Sequence, residues 1–246
     1  MDKTEIYDTL NRAYFSPDPH EKEVLENLPS LLKNGSLIVD VGASLGQYTR
    51  AMCQVVSHSE LCAIEADPIR VEQLERNCQE WAQGSTNKIT VLHMALTDHT
   101  GNVPYFVTNS DVSGGLTQHE TPRPVEWEEI TIPSSTIDEL FPKRSPDFIK
   151  MDVEGAELAV LKGAKRILAQ GEAIFLIELH DWPSGSHQAN EVIKFMRSAG
   201  YVSVSFFGRT LFVKSRRLWL KLKLMELRDA RRLLHRLRGR LKRPGE

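Results

Sequence analysis

Cysteine is scarce: Cys53, Cys62 and Cys78 are the 3 in 246 residues, and they form no C-x-x-C pair or zinc-type spacing. That excludes a disulfide scaffold or zinc ribbon and predicts buried, reduced thiols. No apolar run approaches the length of a membrane span. The opening Met-Asp-Lys-Thr-Glu lacks the basic segment and apolar core of a signal peptide. A soluble cytoplasmic protein is expected, at most peripheral to the inner face of the membrane. Also missing is the middle glycine of the dinucleotide fingerprint: in Gly42-Ala-Ser-Leu-Gly46, Ser44 takes its place. A pyrophosphate needs backbone to come close at that point, so this corner is poorly suited to one.

What is present suits one α/β domain with additions: 41% hydrophobic and 26% charged residues are enough to bury a sizeable core. The net charge of −2 conceals an asymmetry. Lys214 to Glu246 holds 13 of the 31 basic and 3 of the 33 acidic residues, a net of +10, which leaves −12 on the rest. An acidic body with a basic tail bears on partners or self-association.

Taken in order, residues 1–36 read as a helical cap. Ser16-Pro-Asp-Pro precedes Val24, Leu25, Leu28, Leu31 and Leu32 at helical spacing, ending at Asn34-Gly35. Residues 37–214 alternate strands and helices. Leu37 to Val41 is a buried strand carrying Asp40, followed by the Gly42–Gly46 turn and a helix from Tyr48 to Val56. Such a corner suits a nucleoside without bulky phosphates, such as S-adenosylmethionine, whose aminoacid carboxylate would meet the helix N-terminus. Strand two ends in Glu65-Ala66-Asp67, with Glu65 23 residues beyond Gly42, where a carboxylate accepts hydrogen bonds from ribose hydroxyls. Ala95 and Leu96, after strand three, are candidate adenine contacts. Asp40, Gly42, Ala43, Ser44, Gly46, Tyr48, Glu65, Ala66, Ala95, Leu96 and Asp152 form the expected cofactor set.

Residues 108–125 are polar and turn-rich, either a mobile loop or an acceptor-side lid. Strand four ends in Asp152 and Glu154, and Gly155 opens a helix whose small residues Ala156, Ala159, Gly163 and Ala164 are expected to face the sheet. Strand five ends in Glu178 and His180. Ligands of open α/β sheets bind outside these carboxyl ends, and side chains two apart in a strand share a face. The last two strands, Val202–Phe207 and Thr210–Lys214, are expected to pair antiparallel. The fold class is a Rossmann-like, mostly parallel sheet with helices on both faces.

Assembled, these passages resemble the FkbM family of class I S-adenosylmethionine-dependent methyltransferases. The matching stretches are Val39-Asp-Val-Gly-Ala-Ser-Leu-Gly46, Ile64-Glu-Ala-Asp-Pro68, Ala95 to Gly101, Ser135-Thr-Ile-Asp138, Ile149 to Glu157 and Ile177-Glu-Leu-His180. They cover about residues 35–214, and the family often has Asn where this chain has Ser44. The resemblance implies O-methylation, commonly of a sugar or natural-product hydroxyl. A base assists such a transfer, because an alcohol attacks poorly while it holds its proton. His180 is the first candidate, with Glu178 or Asp152 orienting it and Glu154 binding acceptor hydroxyls. The rival arrangement is a magnesium-type ion held by Asp152, Glu154 and Glu178, acting as a Lewis acid.

Residues 215–246 form a basic tail. Leu220, Leu224, Leu227, Leu234, Leu237 and Leu241 recur at helical spacing up to residue 243 among Arg and Lys. It suits docking on an acidic body, its own or a neighbour's, or an anionic membrane with Trp219 as anchor. Nucleic acid ranks third, since interleaved aromatics are lacking. Three classes of function therefore stand. One is a small-molecule or glycan O-methyltransferase. Another is an RNA or protein methyltransferase, although no Asn-Pro-Pro-Tyr motif follows strand four. The last is a non-catalytic cofactor-binding or membrane-adaptor protein.

Overall fold

Short β-branched apolar runs alternate with amphipathic segments from Leu37 onward, the pattern that builds a parallel sheet flanked by helices. A computed structural model describes residues 19–108, 113–118, 124–181, 187–220 and 222–224. Its strands are β1 (Leu37–Val41), β2 (Glu60–Glu65), β3 (Lys88–His93), β4 (Ala95–Leu96), β5 (Gly101–Val107), β6 (Glu128–Ser135), β7 (Phe148–Met151), β8 (Ile174–Ile177), β9 (Val202–Phe206) and β10 (Arg209–Val213). The helices are α1 (Pro19–Asn27), α2 (Gln47–Val55), α3 (Pro68–Ala82), α4 (Ile137–Leu140), α5 (Glu157–Lys162), α6 (Lys165–Gln170) and α7 (Gln188–Ser198).

Seven strands form the main sheet in the order β3-β2-β1-β7-β8-β10-β9. Five run parallel, while β10 is antiparallel to both β8 and β9. The order reverses between β1 and β7, and their carboxyl ends open a crevice at that switch point. Adjacent residues point to opposite faces, so each strand feeds two cores. Val39, Ile149, Met151 and Phe175 pack with Val160 and Ile167 on one side; Ile38, Phe148 and Leu176 pack with Tyr48 and Met52 on the other.

Several boundaries differ from the sequence reading. The cap helix stops at Asn27, because Pro29 turns the chain into a 3-10 segment, Leu28–Ser30. Val24, Leu28 and Leu31 are nonetheless buried as their spacing predicts, whereas Ser16 lies outside the described residues. The helix expected from Gly155 is two short helices that meet at Gly163. A Cβ there would lie 2.2 Å from the Thr97 carbonyl oxygen. Gly163 and Ala164 are buried as expected, together with Glu157, Val160, Leu161, Ile167 and Leu168, while Ala156 and Ala159 are only half-buried. The segments at 103–107 and 126–133 do not extend the main sheet. They pair as β5 and β6 and, with β4, form a separate three-stranded sheet, β4-β6-β5. All three cysteines are free and buried.

Candidate active site

A cleft enclosing about 660 Å³, its open mouth included, lies over the ends of β1, β2, β4 and β7. Its floor includes Ile64, Ala66, Met94, Ala95 and Leu96. Tyr105 and residues 113–116 form a wall, and Asp152, Val153 and Glu154 line the side toward β7. The described part of the 108–125 loop is tied to β5: Gly115 and Phe106 exchange backbone hydrogen bonds of 2.8 and 3.0 Å. Residues 109–112 and 119–123 lie outside the described residues.

Glu65, at the end of β2, is fixed by two backbone donors. Ser44 N donates to its Oε2 at 2.6 Å and Asp67 N to its Oε1 at 2.8 Å. Burial raises its pKa, and Asp67 adds to that shift. Each oxygen retains a further lone pair for a ligand donor. Ser44 reaches this bond in a left-handed conformation, φ +49. Gly42 has φ +72, and a Cβ there would meet the Asp152 carbonyl oxygen at 1.8 Å. The glycine therefore allows the β1 turn to touch the end of β7.

Beneath that contact lies a buried charge pair. Asp40 and Lys150 are cross-strand neighbours in the β1–β7 register. Lys150 Nζ is 3.6 Å from Asp40 Oδ1 and 3.6 Å from Asp152 Oδ2, and it donates to the Gly42 carbonyl at 3.2 Å. Thr49 Oγ1 donates to Asp40 Oδ2 at 2.6 Å. Burial pulls the lysine pKa down, but Asp40 and Asp152 outweigh it and hold Lys150 charged. One ammonium thus joins β1, the glycine turn and Asp152.

At the β7 side, Asp152, Glu154 and His180 bring one ligand atom each within 4.8 Å of one another. His180 Nε2 is 3.8 Å from Asp152 Oδ1 and 3.6 Å from Glu154 Oε2. Its Nδ1 is 2.7 Å from Oε1 of Glu157, a residue 1% exposed. An ionised carboxylate only accepts, so Nδ1 carries the proton and Nε2 faces the two acids. Burial disfavours the imidazolium, but the Glu157 bond and the charges of Glu154, Glu157 and Asp152 outweigh it. The His180 pKa rises to about 9. Glu154 takes φ +51, beside Gly155 at φ +95. The strand has ended at Met151, so a turn rather than strand alternation brings the two acids together.

Eight expected residues line the cleft: Gly42, Ser44, Glu65, Ala66, Ala95, Leu96, Asp152 and Glu154. Four do not. Asp40 is buried beneath the turn as the partner of Lys150. Ala43 packs with Ala63, Leu74 and Cys78. Gly46 backs onto Leu74 and Trp81, each 2.8 Å from where its Cβ would be. Tyr48 lies under the Lys150 ammonium, 4.8 Å from ring centroid to Nζ, in the opposite core. The first turn of α2 is buried rather than open to the cleft. Glu178 is also displaced from its expected place. It pairs with Arg209 at 2.8 Å, and its pKa is raised to about 7 by burial and Asp152, against Arg209. Glu157, not Glu178 or Asp152, meets Nδ1 of His180, and the candidate metal triad contains His180 in place of Glu178.

The sheet order with its reversed strand β10, and a cleft at the switch point, define a class I methyltransferase fold. The chain belongs to the FkbM methyltransferase family: the model of the Methyltransferase FkbM domain matches residues 40–203. It is a methyltransferase. It is similar to the 2-O-methyltransferase NoeI of Sinorhizobium fredii (strain NBRC 101917 / NGR234). The two are 25% identical over 169 residues, 62% of this chain and 68% of that protein. Among solved structures, it is similar to the methyltransferase FkbM from Methylobacillus flagellatus KT. That match has TM-score 0.54 and 22% identity, and it covers 74% of this chain and 44% of the other. This chain therefore spans less than half the length of that structure.

Proposed function

We propose that the chain methylates a hydroxyl of a sugar, glycan or natural product, using S-adenosylmethionine. The observation that carries this is the adjacency of two parts: a cleft with Glu65 and an apolar floor, and a carboxylate-held imidazole at its β7 side. The donor set fits the cofactor. Glu65 suits ribose hydroxyls, and Ile64, Ala66, Ala95 and Leu96 suit adenine. When bound, S-adenosylmethionine supplies an electrophilic methyl group on a sulfonium. Asp152 and Glu154 offer negative charge beside such a cation. In its neutral form, His180 Nε2 would take the proton of the acceptor hydroxyl, whose oxygen receives the methyl group from the bound cofactor as a neutral thioether leaves. Glu157 holds the imidazole in that tautomer. The kinship with a protein whose name is 2-O-methyltransferase supports oxygen as the acceptor atom.

Calorimetry tests the premise. S-adenosylmethionine and its demethylated product should both bind, and Glu65→Gln should weaken binding by about tenfold or more. Absence of binding by either ligand to the folded protein would reject the proposal. The pH profile is a second check. With a pKa raised to about 9, His180 is an imidazolium at neutral pH and becomes a base only as pH rises. kcat/KM should therefore climb about tenfold per pH unit and level off near 9. A profile flat from neutral upward would count against His180.

A second reading rests on the same three side chains. Asp152, Glu154 and the outward Nε2 of His180 make a mixed donor set, and Glu157 backs the imidazole as a metal-bound histidine requires. A divalent ion there would acidify the acceptor hydroxyl. Chelator treatment separates the readings. Activity lost and then restored by Mg²⁺ or Mn²⁺ assigns the triad to a metal, whereas unchanged activity leaves His180 as the base.

A further inference from the structure

We propose that the helix face carrying Leu220 and Leu224 docks on an anionic lipid surface. Residues 216–220 and 222–224 are helical. Leu222 is buried, and Leu218 and Trp219 pack partly against the core beneath α1 and β9. Trp219 thus belongs to the protein-facing side and is not the membrane anchor its sequence position suggests. Leu220 and Leu224 are four residues apart and lie 55% and 51% exposed. At 100° per residue, they share a face nearly opposite the one that Leu218 and Leu222 bury. The helix is apolar on two sides, and the body covers one.

Charge selects the occupant. Arg216 and Arg217 are exposed at the start of this helix. The stretch from Lys214 onward has a net charge of +10 against −12 for the rest of the chain. In sequence, Leu227, Leu234 and Leu241 continue from Leu220 at seven-residue steps, although they lie outside the described residues. Leucines beside a dense basic charge favour anionic headgroups over an apolar protein groove. A second copy of the chain fits less well. Apart from the two leucines, the large apolar side chains exposed among the described residues are Val55 and Val202, at 36% and 41%. They offer no patch to receive the leucines. No described helix is long and apolar enough to cross a membrane, so the contact is peripheral.

Vesicle sedimentation of the full chain provides the test, with phosphatidylcholine vesicles and with vesicles in which part of that lipid is phosphatidylglycerol. The protein should sediment with the anionic vesicles, stay in solution with the neutral ones, and be released by added salt. The double variant Leu220→Glu/Leu224→Glu changes exposed positions. It should keep the circular dichroism and S-adenosylmethionine affinity of the parent, yet partition at least about tenfold more weakly. Failure to bind anionic vesicles overturns the proposal. So does binding that the double variant leaves unchanged, or light scattering in which the variant abolishes a dimer while vesicles recruit neither form.

Discussion

His180→Ala lowers turnover by about 10²–10⁴-fold and leaves S-adenosylmethionine affinity unchanged. That range is what a positioned general base contributes, and the imidazole is not among the residues lining the cleft. The loss should come from two sources. The acceptor hydroxyl loses its proton acceptor, and Glu157 is left buried without its imidazole. Glu157→Gln separates them. Its amide oxygen still accepts from Nδ1, so the ring stays oriented, but the charge that helps raise the His180 pKa is gone. The alkaline limb of the pH profile should move toward neutrality. Turnover of His180→Ala equal to the parent's would remove the imidazole from the reaction. A limb that stays in place in Glu157→Gln would remove Glu157 from its control.

The second large effect concerns stability. Lys150→Met leaves Asp40 buried without its counter-charge, and breaking such a pair costs about 3–5 kcal/mol. Urea denaturation should show that loss as a lower midpoint at unchanged slope. Adding Asp40→Asn removes the uncompensated acid, so the double variant should recover most of the stability. Cofactor affinity should not return with it. Lys150 also holds the Gly42 carbonyl and the Asp152 carboxylate, and neither regains a partner. A double variant that regains stability and affinity together would reduce Lys150 to a neutraliser of Asp40.

These two residues also show how far the sequence could be read. The alternation of strands and helices was legible in the apolar runs. Acids at the strand ends marked where Glu65, Asp152, Glu154 and His180 lie at one edge of the sheet, although a turn rather than strand alternation joins Asp152 to Glu154. Asp40 was misread because an acid at a strand end looks the same in sequence whether it faces ligand or core. Its cross-strand partner resolves the ambiguity: Lys150 is the one charge in Phe148-Ile-Lys-Met151, and a buried charge requires a counter-charge. Glu157 was legible in the same way, as an acid in the first turn of a helix that continues through the apolar run Leu158-Ala-Val-Leu161. Glu178 could not be placed from local pattern. Its partner, Arg209, is the first residue of β10, and only the antiparallel return of β10 beside β8 brings them together. The second sheet was likewise hidden, since alternation marks a strand without saying which sheet it joins.

The charge lining of the cleft has a consequence for what it turns away. Glu65, Asp152 and Glu154 border it; Arg70, which also lines it, is held by Asp67 at 2.5 Å, and Lys150 and His180 stand beside Asp152. Nucleoside di- and triphosphates share adenine and ribose with the proposed cofactor, but their phosphates would meet like charge. Selectivity among adenosine compounds then rests on repulsion as much as on fit. The same field distinguishes the two ends of the proposed reaction, because methyl transfer converts a sulfonium into a neutral thioether. On that proposal the spent nucleoside would lose the attraction that seated its precursor, and would be held more weakly than the cofactor it came from.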